Sequence, residues 1–316
     1  MRNIYNIIWG VVLIVCSTAC NKEWEDEQYL HMASFKANVN DQGVTTTYVR
    51  FKPGGVVKYD LPVIMSGSTM TSQSHTIHFA LDPDTLERLN IEQYGHREEL
   101  YFQQLPSKYY SMPESVEMPA GGCLTTLPIE FKLDETLDQA DKWVLPIQIL
   151  GDQSYDYQIN PRKYYRRAML RLLPFNDYSG TYDAAQYRIF LKPDVKNPFT
   201  ISSQRAFVVD DRTIFIYAGT RDIDDRKQYK VFIRFPEKGT DSKLLEVWSD
   251  NPEIELELDE KKACTFTMNE EMDELKPYLK KIYITLYLYY SFKDYTTVPG
   301  TKLEYVVEGS LAMQRN

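Results

Sequence analysis

The chain has 316 residues, 43% hydrophobic and 26% charged, with a formal net charge of -9. That length is ample for two domains, and the composition excludes a disordered or fibrous chain. The acidic balance argues against a phosphate-backbone partner, which calls for clustered Lys and Arg, so no nucleic-acid role is expected. Tyrosine is over-represented, with 24 Tyr against 14 Phe and 4 Trp. Such usage predicts β-structure with partly exposed aromatic surface.

Near the N-terminus, Arg2 precedes "IIWGVVLIV" (7–15), an apolar run too short to span a bilayer as a folded helix. "STAC" follows, ending at Cys20. This is similar to the lipobox of bacterial lipoproteins, in which the Cys becomes the lipidated first residue and a small residue, here Ala19, precedes it. The resemblance implies a signal peptide over 1–19 and a lipid anchor on Cys20. No later segment is long and apolar enough to span a membrane. The body is therefore expected to be soluble and outside the cytoplasm. Cys123 and Cys264 form no disulfide framework or CxxC pair, and both read as small, buried, free thiols.

Residues 20–33 read as an acidic tether. Over 34–174 come short alternating segments. "VTTTYVRFK" (44–52) and "VVKYDLPVIMSG" (56–67) flank "PGG", a hairpin signal. "HTIHFAL" (75–81) is a third strand. Asp82 and Pro83 then start a helix as N-cap and first helical residue. "HREELYFQQLP" predicts a second short helix. "SVEMPAGG" and "LTTLPIEFKL" (124–133) predict a strand pair around a turn, and "KWVLPIQIL" (142–150) and "RRAMLRLLP" (166–174) complete the set. Pro62, Pro128 and Pro146 inside strands point to edges or bulges. The pattern predicts an immunoglobulin-like β-sandwich.

"LLPFNDYSG" (172–180) marks a boundary, and 175–316 reads as a second, antiparallel β-domain. Its segments are consecutive, alternating and hairpin-connected, with a short helix expected at "NEEMDELKPYL" (269–279). This predicts a meander closed as a barrel, lipocalin-like, or folded as a sandwich. The protein is thus expected to be mainly β throughout.

Catalytic signatures are scarce. His75 and His78 lie three apart in a strand and point to opposite faces, a poor metal pair. There is no HExxH, P-loop, dinucleotide fingerprint or nucleophile elbow. Asp222, Asp224 and Asp225 lack the Gly and distal Glu of a calcium loop and read as a solvated turn. No cofactor or metal is expected, and the chain does not read as an enzyme. For a binding role, the apolar faces of sugar rings stack on Trp and Tyr. Candidates are Trp248 with Asp250 and Asn251, the pairs Tyr109/Tyr110 and Tyr155/Tyr157, and Tyr287/Tyr289, which share one strand face. Trp143, within an apolar run, reads as core.

The order of a lipobox, "CNKEWEDEQ", a sandwich ending in "NPRKYYRRAMLRLLPFNDYSGTY", then "RAFVVDDRTIFIYAGT" and "DYTTVPGTKLEYVVEGSLAM" resembles a known group. It looks like the two-domain surface lipoproteins of polysaccharide-utilisation systems in Bacteroidota, which pair an N-terminal Ig-like domain with an uncharacterised C-terminal β-domain. The resemblance implies a glycan-binding protein in the genomic place of the SusE and SusF lipoproteins, beside a TonB-dependent outer-membrane importer. It carries no catalytic residues. It also implies an export signal after the lipidated Cys, here Lys22, Glu23, Glu25 and Asp26. The leading expectation is a non-catalytic, lipid-anchored outer-membrane protein, exposed at the cell surface, that captures oligo- or polysaccharide for the importer. The alternatives are a structural or adhesive surface protein, an importer accessory, and a glycoside hydrolase with a carboxylate pair.

Overall fold

The computed structural model describes residues 27–315 except 30, 273 and 277. Cys20, Lys22, Glu23, Glu25 and Asp26 lie outside the described residues, as do the expected signal peptide and most of the tether.

The N-terminal strands are β1 (Met32–Phe35), β2 (Thr45–Arg50), β3 (Val57–Met65), β4 (His75–Leu81), β5 (Gln103–Gln104), β6 (Tyr110–Ser111), β7 (Ser115–Met118), β8 (Leu124–Phe131), β9 (Trp143–Ile149), β10 (Gln158–Ile159) and β11 (Arg167–Phe175). They form two sheets, ordered β10-β1-β3-β8-β6 and β2-β11-β9-β4-β7, with β5 on β9. Alternation turns Phe35, Val63, Leu127 and Ile129 of the first sheet onto Ile77, Phe79, Leu145 and Leu170 of the second, in one core. The Phe35 and Phe79 rings stack across it at 5.7 Å. The expected sandwich is present.

Two expected hairpins are not. β2 pairs in parallel with β11, while β3 pairs with β1 and β8. Likewise β7 pairs with β4. At both turns the chain crosses to the other sheet. Pro62 and Pro146 sit in interior strands, not at edges. Their carbonyls accept from Lys36 and Asp82, just where β1 and β4 end. Carbonyl and amide of one strand residue face the same way, so the missing N–H falls where no ladder remains to serve.

Helix α1 (Pro83–Tyr94) starts as predicted, with the Asp82 carboxylate accepting from the Thr85 amide. Its Leu86 and Leu89 pack on Val144 and Met169, on the outer face of the second sheet. The second expected helix is only a 3-10 turn, Glu98–Leu100. A short helix α2 (Lys163–Arg166) precedes β11.

The C-terminal strands are β12 (Gly180–Leu191), β13 (Asp194–Thr200), β14 (Ser203–Val208), β15 (Thr213–Tyr217), β16 (Lys230–Arg234), β17 (Glu246–Trp248), β18 (Glu257–Leu258), β19 (Thr265–Met272), β20 (Lys280–Val298) and β21 (Thr301–Arg315). The sheet runs β17-β16-β15-β14-β12-β21-β20, with β19 on β20. A bridge between Leu244 and Thr265 joins its two ends. The Leu245 and Phe266 amides donate across that seam to the Cys264 and Lys243 carbonyls. The C-terminal half is therefore an up-and-down barrel rather than a sandwich. The helix expected over 269–279 is absent among the described residues. Asn269–Met272 extend β19 along β20, whose length offers a free edge that outweighs local helix propensity.

The barrel is filled rather than hollow. Leu286, Leu288, Tyr290 and Phe292 point inward from β20 against Tyr187, Val231, Ile233 and Val307. The buried Tyr187 and Tyr290 hydroxyls bond at 2.7 Å. These side chains occupy the barrel interior, where a lipocalin-like cup would hold its ligand. Cys264 is buried, but Cys123 is exposed, against expectation; both are free.

Candidate functional site: a groove between sandwich and barrel

Beyond α1, the outer face of the second sandwich sheet continues along alternate residues of β11. Met169 lies under the helix. Arg171, Leu173 and Phe175 follow at the same parity, facing away from the sandwich core. The barrel presents its own outer face opposite them. There Phe207, Phe215, Phe232 and Trp248 are successive cross-strand partners on β14, β15, β16 and β17. Phe207 stacks on Phe215 at 5.0 Å and Phe232 on Trp248 at 5.4 Å. Phe207, Phe215 and Tyr217 are buried, whereas Phe232 and Trp248 are half-buried.

Polar ties hold the two faces together. Lys230 is only 3% exposed, and its ammonium donates to both carboxylate oxygens of Asp138 at 2.6 Å. Lys142 is buried and pairs with Asp224 at 3.1 Å. Burial lowers its pKa, and Asp224 opposes that shift. Arg226 donates to the carbonyls of Glu99, Ala140 and Tyr101. These contacts are charge-assisted and largely shielded, so they fix the angle of the groove walls.

Two hollows lie between the faces, and they share Arg205 and Phe207. One, about 580 Å³, is lined by Gln42, Tyr94, Lys142, Arg171, Asp222 and Asp224 among others. The other, about 270 Å³, reaches Tyr48, Leu173 and Phe175. Tyr48 is 67% exposed. Tyr94 is half-buried and packs edge-on to Phe102 at 5.7 Å, and burial raises its pKa. The groove thus carries an aromatic ring towards each end and guanidinium groups between. Its size and mixed lining suit a small, polar, ring-shaped ligand.

The residues expected from sequence fall elsewhere. Tyr109 is buried with its hydroxyl 2.6 Å from Thr136 Oγ1, and Tyr157 is buried with its hydroxyl donating to the Leu150 carbonyl at 2.6 Å. Both are core residues, which corrects the expectation of ligand contact. Tyr110 and Tyr155 line a separate hollow on the sandwich, where Tyr155 stacks on His78 at 4.5 Å. Trp248 is engaged by Phe232 and by Arg234, whose guanidinium carbon is 4.8 Å from the ring centroid. Asn251 caps a 3-10 turn and donates to the Gln228 carbonyl and the Tyr295 hydroxyl, a structural role. Asp250 is exposed, and Tyr287 and Tyr289 are half-buried on the outer barrel wall. Asp222, Asp224 and Asp225 are not a merely solvated turn: Asp222 caps a 3-10 turn that carries Asp224 to Lys142. Among the described residues no cluster of His, Cys, Asp or Glu has a metal-binding arrangement. No sequence pattern singles out Tyr48, Tyr94 or Arg205 for this groove. The one legible signal was Arg171, a lone cation within the apolar "AMLRLLPF".

The chain has relatives of known structure. A Bacteroides ovatus protein of unknown function is 40% identical, covering 90% of this chain and 95% of its own, with a TM-score of 0.79. The chain belongs to the same two-domain Bacteroides family. Another member from Bacteroides ovatus, also of unknown function, is 37% identical over 90% of this chain and 92% of its own, with a TM-score of 0.79. A third, described as an auxiliary nutrient binding protein from Bacteroides thetaiotaomicron, is 34% identical over 89% of this chain and 95% of its own, with a TM-score of 0.78. This chain also matches the profile "Domain of unknown function (DUF4973)" over residues 24–153 and a profile for a C-terminal domain over 166–312. No curated protein matches.

Proposed function

We propose that this protein is a lipid-anchored, non-catalytic glycan-binding protein of the outer membrane surface. It captures an oligo- or polysaccharide in the groove between sandwich and barrel and passes it to a TonB-dependent importer. The observation that carries this reading is the groove itself, with Tyr48 and Tyr94 set on walls locked by Lys230–Asp138, Lys142–Asp224 and Arg226. Pre-set walls bind a sugar without a further ordering cost, and tyrosine faces accept its C–H surface. The 34% identical relative described as an auxiliary nutrient binding protein supports the same reading.

The use of the groove's carboxylates supports the non-catalytic reading. Asp224 is paired with Lys142, and the Asp222 side chain accepts from the Asp224 amide. Both carboxylates thus have structural partners. Among the described residues no helix is long and apolar enough to cross a membrane, so attachment would come from lipid on Cys20. Affinity electrophoresis through gels containing plant or host polysaccharides tests the proposal. Retardation by at least one of them is expected; migration unchanged in all of them, with importer components still co-purifying, would favour the accessory-subunit reading.

A further inference from the structure

The charges of the groove run against those of the chain. The protein carries a net -9, yet Arg171, Arg205 and Arg315 line the two hollows without a carboxylate partner, and of these Arg315 already donates to the Asn176 and Ser179 carbonyls, which leaves Arg171 and Arg205. Arg171 donates from Nη1 to Gln42 Oε1 at 3.0 Å, and its buried Nε has no partner. Its guanidinium carbon lies 5.6 Å from the centroid of the Phe102 ring. Arg205 is exposed, with its guanidinium carbon 5.2 Å from the centroid of the Phe207 ring. The acids nearby are already engaged, as described above.

Arg221 serves as an internal comparison. It too is partly shielded, but it pairs with Asp294 and Asp225, and its pKa is raised despite burial. The pKa of Arg171 moves the other way. Burial lowers it, and the charge of Arg205 lowers it further. Two neighbouring cations that repel each other in a half-dry groove are costly, and an apolar side chain in this strand would serve packing better. On Arg171 Nη1 is held by Gln42 and Nε is buried, so Nη2 is the donor left to meet an oxyanion from the groove.

We infer that the groove is built for an acidic sugar, whose carboxylate or sulfate group sits on Arg171 and Arg205 while its ring lies against Tyr94 or Tyr48. This deepens the glycan-capture reading and rests on it. Titration calorimetry on the purified protein separates the two. Three kinds of probe are used: an oligogalacturonate carrying carboxylates only, a carrageenan oligosaccharide carrying sulfates only, and neutral cello- and manno-oligosaccharides. At least one acidic probe is expected to bind, and the responding probe identifies the anion. Arg171→Gln and Arg205→Gln should each weaken it by about tenfold or more, and raising salt should weaken it further. Lys58→Gln, on an exposed residue of the sandwich, should change nothing. Arg205 is exposed, so its variant should fold even if the Arg171 variant does not. Neutral probes binding while both acidic ones fail would overturn the acidic-sugar assignment and leave glycan capture standing. Acidic binding unchanged by Arg205→Gln and insensitive to salt would also overturn it. No binding by any probe would count against the glycan reading as well.

Discussion

The Lys230 ammonium sits 2.6 Å from both carboxylate oxygens of Asp138, although 92 residues separate them in the chain. The pair joins the outer wall of the barrel to a turn of the sandwich. Its lysine side chain is 4% exposed, so water screens it weakly. Removing one partner strands the other, which is worse than removing both. Asp138→Ala should therefore destabilise the protein by about 3 kcal/mol, with part of that from loss of its bond to the Ala140 amide. In the Asp138→Ala/Lys230→Met double variant the cost should be less than the sum of the single variants. A double-mutant cycle by urea denaturation measures this.

The tyrosines divide by what their hydroxyls and ring faces touch. Tyr48→Ala and Tyr94→Ala should each weaken glycan retention by about 1–2 kcal/mol. The Tyr48 change should leave the melting temperature nearly unmoved, because the ring is 67% exposed. Tyr109→Ala and Tyr157→Ala should instead cost about 3 kcal/mol or more of stability, through lost core volume and an unmet hydrogen bond. Thermal melts alongside affinity gels separate the two classes.

Asp294 is a buried carboxylate on β20. It is 2% exposed, and burial alone would raise its pKa. Bonds from Thr297, the Thr296 amide, Tyr229 and Arg221 outweigh burial and hold the carboxyl well below its ordinary range. A pKa lowered on folding means that the unfolded chain takes up the proton first. The stabilisation is then complete above the ordinary Asp value and fades as pH falls below about 4. Wild type should lose stability steeply below that point. Asp294→Asn should start about 3 kcal/mol lower at neutral pH and show a shallower acid limb. Denaturation midpoints across pH report both slopes.

Gly309 lies on β21 at a positive φ of 131°, beside the register shift between β12 and β21. A Cβ there would come 1.9 Å from the Gln186 carbonyl oxygen. Backbone is the obstacle, so no side-chain rotation relieves the clash. Gly309→Ala should destabilise the barrel by about 3 kcal/mol or more. Gly300→Ala, at a turn where a Cβ meets nothing within 4 Å, should cost only about 1 kcal/mol, from its positive φ. Parallel denaturation curves compare them.

Local chemistry was legible in the sequence. Asp82 and Pro83 announce α1 because cap and first turn are decided within four residues. Alternation announces the strands, and the hairpin spacing of the second half announces a meander. Strand partners in the sandwich were not legible. "PGG" permits a turn but does not say whether the chain returns to the same sheet, and here β2 chooses β11. The site was hidden for the same reason. Tyr48 and Arg205 belong to different domains, and only the packing of two outer faces brings them to one groove. Tyr109 and Tyr157 looked available because the acceptors for their hydroxyls are Thr136 and the Leu150 carbonyl, partners that no short-range pattern announces.

The proposed function requires that a glycan be held between sandwich and barrel. Affinity electrophoresis of wild type beside the Tyr48→Ala/Tyr94→Ala variant, in a gel containing the polysaccharide that retards wild type, tests it most directly. Retardation should be lost in this variant and kept in Tyr155→Ala and Trp248→Ala. Retardation kept without Tyr48 and Tyr94, but lost without Tyr155 or Trp248, would contradict it.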